Sequence, residues 1–265
     1  MERRDKVKVL VLRAAGSNCD LETAYAFRAV GAVADVVHVN RLVSGQVSLH
    51  EYHILAIPGG FTYGDDISAG KVLANELKCK FGPALVEFHQ QGKLIIGICN
   101  GFQVLVKAGL LPRVDMKAPQ QVTLATNDSG KFEDRWVYLR LNPGPCVFTA
   151  EGPERIHLPV AHAEGKFVAA TQELVNQLLS NGQVVMQYLH PEGGPCAYPW
   201  NPNGSMADVA GICDPSGRVF GLMPHPERHF DGTHHPRWTR EGLRPEGDGV
   251  FIFRNAVRYA MHNLL

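Results

Sequence analysis

Residues Lys93–Val106 read KLIIGICNGFQVLV, and this stretch decides the predicted fold. The apolar run Leu94–Ile98 predicts a strand buried on both faces, as in a parallel sheet, and helical spacing follows it. Gly97, Cys99 and Gly101 therefore lie where a buried strand turns sharply into a helix. Small residues two positions on either side of a nucleophile permit that turn, and a helix N-terminus favours a thiolate. The stretch predicts a nucleophile elbow; the alternative is a cysteine that only packs at a strand–helix junction.

The same alternation of strand and helix extends over the first hundred residues. Strands are predicted at Val7–Leu12, Val33–Val39, Ile54–Ile57 and Leu94–Ile98, and helices at Leu21–Val30 and in a region ending at Phe88. After Pro112, shorter alternations predict strands at Val122–Ala125, Trp136–Leu141, Ile156–Val160, Val184–Tyr188, Val209–Cys213 and Arg218–Met223, with a final helix at Gly249–His262. The pattern predicts an α/β fold whose mostly parallel central sheet is flanked by helices and carries additional antiparallel strands. No break in composition demands a second domain, so we expect residues 1–265 to form a single domain.

Charge and hydropathy exclude several classes of protein. The chain has 26 basic and 26 acidic side chains, so no overall field attracts nucleic acid or an anionic membrane. No apolar segment approaches the roughly 18 residues of a membrane helix, and the N-terminal apolar run is too short for a secretory signal. We therefore expect a cytoplasmic protein without nucleic-acid or membrane partners.

The cysteines and histidines do not predict a metal site. The six cysteines include no Cys-x-x-Cys pair, which argues against a disulfide framework and a zinc ribbon. Four histidines cluster at 225, 229, 234 and 235, but prolines interrupt any helical spacing between them. Residues 229–249 are rich in His, Arg, Gly and Pro and predict an exposed loop.

A base for Cys99 is predicted at residues 224–227, which read PHPE and follow a predicted core strand. In an extended segment His225 and Glu227 lie on the same side. A carboxylate can then fix the tautomer of the imidazole that takes the thiol proton. Taken alone, the segment has an alternative reading as a proline-rich surface loop. Together with the elbow it predicts a triad, with the backbone N–H of Asn100 as an oxyanion donor.

The elbow and the later His-Pro-Glu segment resemble the class I glutamine amidotransferases, in which Gly-x-Cys-x-Gly and His-x-Glu motifs supply a triad. Longer stretches are similar to the glutaminase subunits of the phosphoribosylformylglycinamidine synthases, a family of purine biosynthesis. These stretches are PGGFTYGD from Pro58, GICNGFQ from Gly97, AHAEGKF from Ala161, NPNGS from Asn201 and GLMPHPER from Gly221. The resemblance covers nearly the whole chain. It fails at Asp66–Ser68, where the family usually has Tyr and then Leu-Arg, so no role is carried over to that loop.

The resemblance implies hydrolysis of glutamine to glutamate and ammonia. Cys99 would attack the side-chain amide, His225 oriented by Glu227 would shuttle the proton, and water would hydrolyse a glutamyl thioester. Four further positions would contact the substrate, namely Gly60 and Asn100 through the N–H groups of the oxyanion hole, and Gln103 and His162 in the glutamine pocket. The alternatives are an ordinary polar residue of the first helical turn for Gln103 and a hydrogen-bonded loop histidine for His162.

Residues Gly64–Lys71 follow a strand and precede a helix, but they do not fit a phosphate-binding loop. Five residues separate the glycines instead of four, and Val72 stands where such a loop has Ser or Thr. Because making an amidine from an amide needs ATP, we expect no cofactor in this chain and place ATP and magnesium on a synthetase subunit. A small accessory subunit is a further candidate partner.

Two rival functions remain open at this point. One is a glutaminase that serves a different synthetase and uses the same triad. The other is a redox or non-catalytic relative with a cysteine elbow, which would not need His225 or Glu227.

Overall fold

A nine-stranded mixed sheet forms the centre of the computed structural model, which describes residues 6–265. The strands are β1 (Lys8–Arg13), β2 (Val33–His38), β3 (Ile54–Ile57), β4 (Leu94–Ile98), β5 (Val122–Thr126), β6 (Glu133–Leu141), β7 (Arg155–His162), β8 (Glu164–Ala169), β9 (Val184–Tyr188), β10 (Val209–Cys213) and β11 (Val219–Leu222). Their order in the sheet is β2-β1-β3-β4-β11-β10-β9-β6-β7, while β5 and β8 form a separate antiparallel pair. The strands from β2 to β11 run parallel, and the strands from β10 to β7 are antiparallel. The predicted fold class is confirmed.

Helices cover the sheet and supply most of the remaining core. They are α1 (Asp20–Ala29), α2 (Val39–Val43), α3 (Lys71–Gln90), α4 (Asn100–Ala108), α5 (Gln172–Ser180), α6 (Trp238–Glu241) and α7 (Val250–Asn263). The helix α4 follows β4 directly, and all its residues except Lys107 are buried. It packs against α3 on one side and the sheet on the other. A helix buried on nearly every side is held in place by its neighbours, so its first turn is a rigid place for catalytic groups.

The sequence analysis missed the short helices α2 and α6, and it also missed β8 and α5. The strand β8 begins with Glu-Gly-Lys, and a glycine inside a short strand weakens the alternating pattern that identifies it. The helix α5 begins after Thr171, whose side chain accepts a hydrogen bond from the backbone N–H of Leu174 at 3.2 Å. That N-cap is the signal that could have identified α5.

The prediction of an exposed loop at residues 229–249 is partly wrong. His229 is fully buried and His235 is 5% exposed, because both rings pack edge-on against the indole of Trp136. A third ring, that of His157, joins them through a 3.0 Å contact between its Nδ1 and Nε2 of His235. Burial, together with the charges of the two other histidines, lowers the pKa of His157 to about 3. The beginning of the segment therefore belongs to the core.

Three parallel strands deliver the candidate site to one edge of the sheet. The strand β4 lies between β3 and β11, with Gly97 level with Ile57 on one side and with Gly221 on the other. The N–H of Cys99 donates to the carbonyl of Leu222 at 2.7 Å and so extends this alignment past the end of β4. Functional residues collect at the carboxyl edge of such sheets. The single domain 1–265 stays a prediction, and its first five residues lie outside the described part of the chain.

Candidate active site

Cys99 occupies a strained turn between β4 and α4. Its backbone has φ 52° and ψ −106°, a conformation that residues with a side chain rarely adopt. The turn is tight enough to require glycine on both sides. A Cβ on Gly101 would lie 1.9 Å from the carbonyl oxygen of Ile57, and a Cβ on Gly97 would lie 2.5 Å from the carbonyl oxygen of Gly101. The strain and the close contacts are those of a nucleophile elbow.

His225 and Glu227 form a buried pair beside this turn. The Nδ1 of His225 lies 2.6 Å from Oε1 of Glu227, and the two side chains are 2% and 0% exposed. The segment is extended only at His225; a single 3-10 turn begins at Pro226 and brings the carboxylate back to the ring. Burial by itself lowers the pKa of His225, but the Glu227 carboxylate and the sulfur of Cys99 outweigh it and hold that pKa well above the usual range. The pair therefore favours an imidazolium whose other nitrogen is free.

The free nitrogen is Nε2 of His225, which is buried without a hydrogen-bond partner among residues 6–265. The sulfur of Cys99 instead points to the carbonyl oxygen of Ala161 at 3.6 Å. Catalytic hydrogen bonds are often absent or long before substrate binds, so this arrangement does not argue against a contact between the thiol and Nε2. The elbow and the pair have the chemistry that a triad of nucleophile, base and orienting carboxylate requires, and these three roles stay a prediction.

The two backbone N–H groups predicted as oxyanion donors, those of Gly60 and Asn100, have no acceptor within the described residues. Asn100 is the first residue of α4, where N–H groups lack helical partners. Gly60 has φ 147°, and a Cβ there would lie 2.7 Å from the carbonyl oxygen of Gly16. Both N–H groups are therefore free to bind an acceptor, and their role as oxyanion donors stays a prediction.

The side chains of Asn100 and Gln103 are bound to protein groups. The Oδ1 of Asn100 accepts from the hydroxyl of Thr62 at 2.6 Å, and its Nδ2 donates to Asp65 at 3.1 Å and to Oε1 of Gln103 at 3.0 Å. The amide of Gln103 also donates to the backbone carbonyl of Glu164. This network fixes the first turn of α4 to the loop after β3. Thr62 and Asp65 are therefore site residues that the sequence analysis quoted only within a motif.

His162 lies in the same buried region and is 3% exposed. Its Nδ1 is 3.1 Å from Oδ1 of Asn127, which makes Nδ1 the protonated nitrogen and leaves Nε2 as an unpartnered acceptor among the described residues. Burial, reinforced by the charge of His225, lowers the pKa of His162 to about 3, so the ring is neutral. A Cβ on Gly165 would lie 2.3 Å from this ring. Asn127 was missed, because nothing in its sequence neighbourhood marks it as a partner of His162.

One group of side chains has the composition of a metal site. Cys19, His225 and Glu227 offer ligand atoms that lie within 4.8 Å of one another. However, a guanidinium nitrogen of Arg228 lies 3.1 Å from the sulfur of Cys19, so a positive charge already faces this group. Metal binding here would also take Nδ1 of His225 from its carboxylate. The expectation that the chain holds no metal stays a prediction.

The fold and the site define a glutamine amidotransferase: residues 6–260 match the CobB/CobQ-like glutamine amidotransferase domain. Within that class the chain belongs to the PurQ family. It is 53% identical over 257 residues to the phosphoribosylformylglycinamidine synthase subunit PurQ of Dehalococcoides mccartyi, and the alignment covers 96% of this chain and 98% of that protein. The subunit of the same name from Methanococcus maripaludis is 43% identical, with 95% and 97% covered. These relatives confirm the predicted family and enzyme class.

A solved structure agrees with this family. A chain in the structure of PurLQS from Thermotoga maritima aligns with a TM-score of 0.73 and 30% identity, covering 96% of this chain and 99% of that chain. Among residues 6–265, no helix has the length and apolar character that a membrane crossing requires.

Proposed function

We propose that this chain is the glutaminase subunit of a phosphoribosylformylglycinamidine synthase and acts in the cytoplasm in purine biosynthesis. It would hydrolyse glutamine through Cys99, His225 and Glu227 and pass ammonia to a synthetase subunit. The observation that carries the proposal is the buried 2.6 Å contact between His225 and Glu227, which follow β11 as Cys99 follows the neighbouring strand β4. A packing cysteine would not need that pair.

The chemistry follows from the geometry. The Cys99 thiolate attacks the side-chain amide carbon of glutamine, and the N–H groups of Gly60 and Asn100 stabilise the oxyanion. His225, held as an imidazolium by Glu227, gives its Nε2 proton to the leaving nitrogen, which departs as ammonia. Water then attacks the glutamyl thioester while His225 takes a proton from it, and glutamate leaves. Each step uses the same nitrogen of His225.

His162 and Gln103 take different parts in the proposed glutamine pocket. The neutral ring of His162 presents an acceptor at Nε2, which suits an N–H group of the substrate and would not repel its ammonium. The side chain of Gln103 is held by Asn100 and by the carbonyl of Glu164, so it shapes the wall of the pocket. We propose direct contact for His162 and mainly a supporting role for Gln103.

The synthetase subunit, with ATP and magnesium, lies on another chain in this proposal. Two observations support it: the segment Gly64–Lys71 lacks the spacing of a phosphate-binding loop, and the relatives are named as subunits of a synthase. A small accessory subunit is the third candidate component.

The test measures glutamate release by the chain in the presence of its synthetase subunit. Cys99→Ala should abolish glutamine hydrolysis, and His225→Ala should lower kcat by about 10³-fold or more, because the base and the nucleophile act as a unit. Cys79→Ala is the matched control, since Cys79 is an exposed cysteine on α3. Wild-type turnover in the Cys99→Ala protein would refute the mechanism. Co-purification with a synthetase of another pathway would refute the assignment to purine synthesis and leave the mechanism intact.

A further inference from the structure

A second buried cysteine lies directly behind the imidazole of His225. The sulfur of Cys19, just before α1, is 4.0 Å from Nδ1 of His225, and the residue is 1% exposed. Gly59 closes the space between them, since a Cβ there would lie 3.1 Å from the sulfur and 2.7 Å from Cε1 of His225. The Nδ1–Cε1 edge of the ring is therefore enclosed by a sulfur atom and a bare backbone.

The sulfur of Cys19 is itself held on both sides. A guanidinium nitrogen of Arg228 donates to it at 3.1 Å, and Oδ1 of Asn18 lies 3.5 Å away as an acceptor for the S–H group. Arg228 is anchored by Oε1 of Glu22, at 3.1 Å from Nε and 3.0 Å from Nη2. Burial raises the pKa of Cys19 to about 11, so its thiol stays neutral at physiological pH. Cys19 is therefore a fixed dipole, and it is not poised as a second nucleophile.

We propose that Cys19 is a positioning residue for the reaction: its sulfur supports the Nδ1 edge of the His225 ring and keeps Nε2 directed at Cys99. This inference rests on the proposed function. The sulfur acts through His225 and does not touch glutamine. Glu227 accepts the Nδ1 proton, and Cys19 limits rotation of the ring away from that bond. Arg228 and Glu22 prevent the sulfur from moving.

The same contact affects the protonation of His225. The titratable and charged groups that face the ring or its immediate partners are Cys99, Glu227, Cys19, Arg228 and His162. Glu227 has the largest favourable effect on the imidazolium, and the hydrogen bond to Cys19 adds to it. Loss of the sulfur should therefore lower the pKa of His225, while Glu227 keeps it above the ordinary value.

The experiment compares Cys19→Ala and Cys19→Ser with the wild-type chain. In Cys19→Ala, kcat for glutamine hydrolysis with the synthetase subunit should fall about tenfold while KM for glutamine stays within twofold, because ring orientation affects the transition state more than binding. The basic limb of the pH profile of kcat/KM should move to lower pH by about half a unit, because kcat/KM falls there as the imidazolium of His225 loses its proton. Cys19→Ser keeps a polar atom of similar size and should retain at least half of the wild-type kcat.

A second measurement does not depend on activity. NMR titration of the chain with ¹⁵N-labelled histidine should show His225 losing its proton at lower pH in Cys19→Ala than in wild type. Cys146→Ala is the matched control, because Cys146 is also buried and the site does not use it. Unchanged titration of His225 in Cys19→Ala overturns the proposal, whether or not kcat falls, since a fall alone would mean a structural role. Absence of glutamine hydrolysis in the wild-type complex would instead refute the proposed function.

Discussion

Gly101→Ala should disable the site, although it adds only one methyl group. The new Cβ would lie 1.9 Å from the carbonyl oxygen of Ile57, about 1.5 Å short of the 3.4 Å at which ordinary contact begins. The oxygen belongs to the backbone of β3, so it cannot rotate away, and α4 must move off the sheet instead. Overpacking of this kind costs about 1–3 kcal/mol of the free energy of unfolding. A displacement of about 1 Å at the adjoining N–H of Asn100 should lower kcat about 100-fold.

The kcat is measured as the rate of glutamate release in the presence of the synthetase subunit, and the free energy of unfolding is measured by urea unfolding. The control is Gly82→Ala inside α3, where the added Cβ would lie 3.6 Å from the sulfur of Met116 in ordinary contact. That change should leave kcat unchanged and alter the free energy of unfolding by no more than about 1 kcal/mol, because the helix preference of alanine is opposed by crowding of its Cβ against the following Pro83. A Gly101→Ala protein with wild-type kcat and wild-type stability would refute the claim that close packing against β3 sets the elbow.

Two further predictions concern buried carboxylates. Glu227→Gln keeps a hydrogen-bonding side chain but removes the charge that stabilises the imidazolium of His225. The kcat for glutamate release should therefore fall by about 10³-fold to 10⁴-fold. A loss of kcat below tenfold would contradict the proposed orienting role of Glu227. Hydrogen bonds from His89, Ser216 and the backbone lower the pKa of Asp214 to about 2 against the opposing effect of burial. The ionised Asp214 carboxylate therefore contributes about 2 kcal/mol to the free energy of unfolding above pH 3.8, and this contribution is lost as pH falls toward 2. Urea unfolding of Asp214→Asn should lack that loss of stability between about pH 4 and pH 2. The same change of unfolding free energy with pH in both proteins would contradict the prediction.

The sequence predicted those parts of the molecule that local patterns specify. The bounds of β3, β4, β9 and β10 agree with the predicted runs. In each case an apolar run is flanked by turn or polar residues, which mark where the strand begins and ends. The elbow was predictable for the same reason, since a strand, two glycines and a helix start are adjacent in the chain. His225 could be paired with Cys99 only by chemical reasoning, because the two are far apart in sequence.

The rest of the site depends on contacts that no local pattern records. Cys19 meets His225 across 206 positions, and Asn127 meets His162 across 35. Such pairs follow from strand order and register, which bring the carboxyl ends of several strands together. Cys19 is buried, and its position behind His225 could not be read from its neighbours in sequence.

The place of β11 in the sheet has a consequence for biosynthesis of the chain. β11 lies beside β4, yet about 126 residues separate Cys99 from His225. During translation the cysteine leaves the ribosome long before the histidine is made, and contacts between residues so distant in sequence form slowly. Under the proposed mechanism, a nascent chain that ends before β11 has its nucleophile but no base, so it should release no ammonia before it is nearly complete.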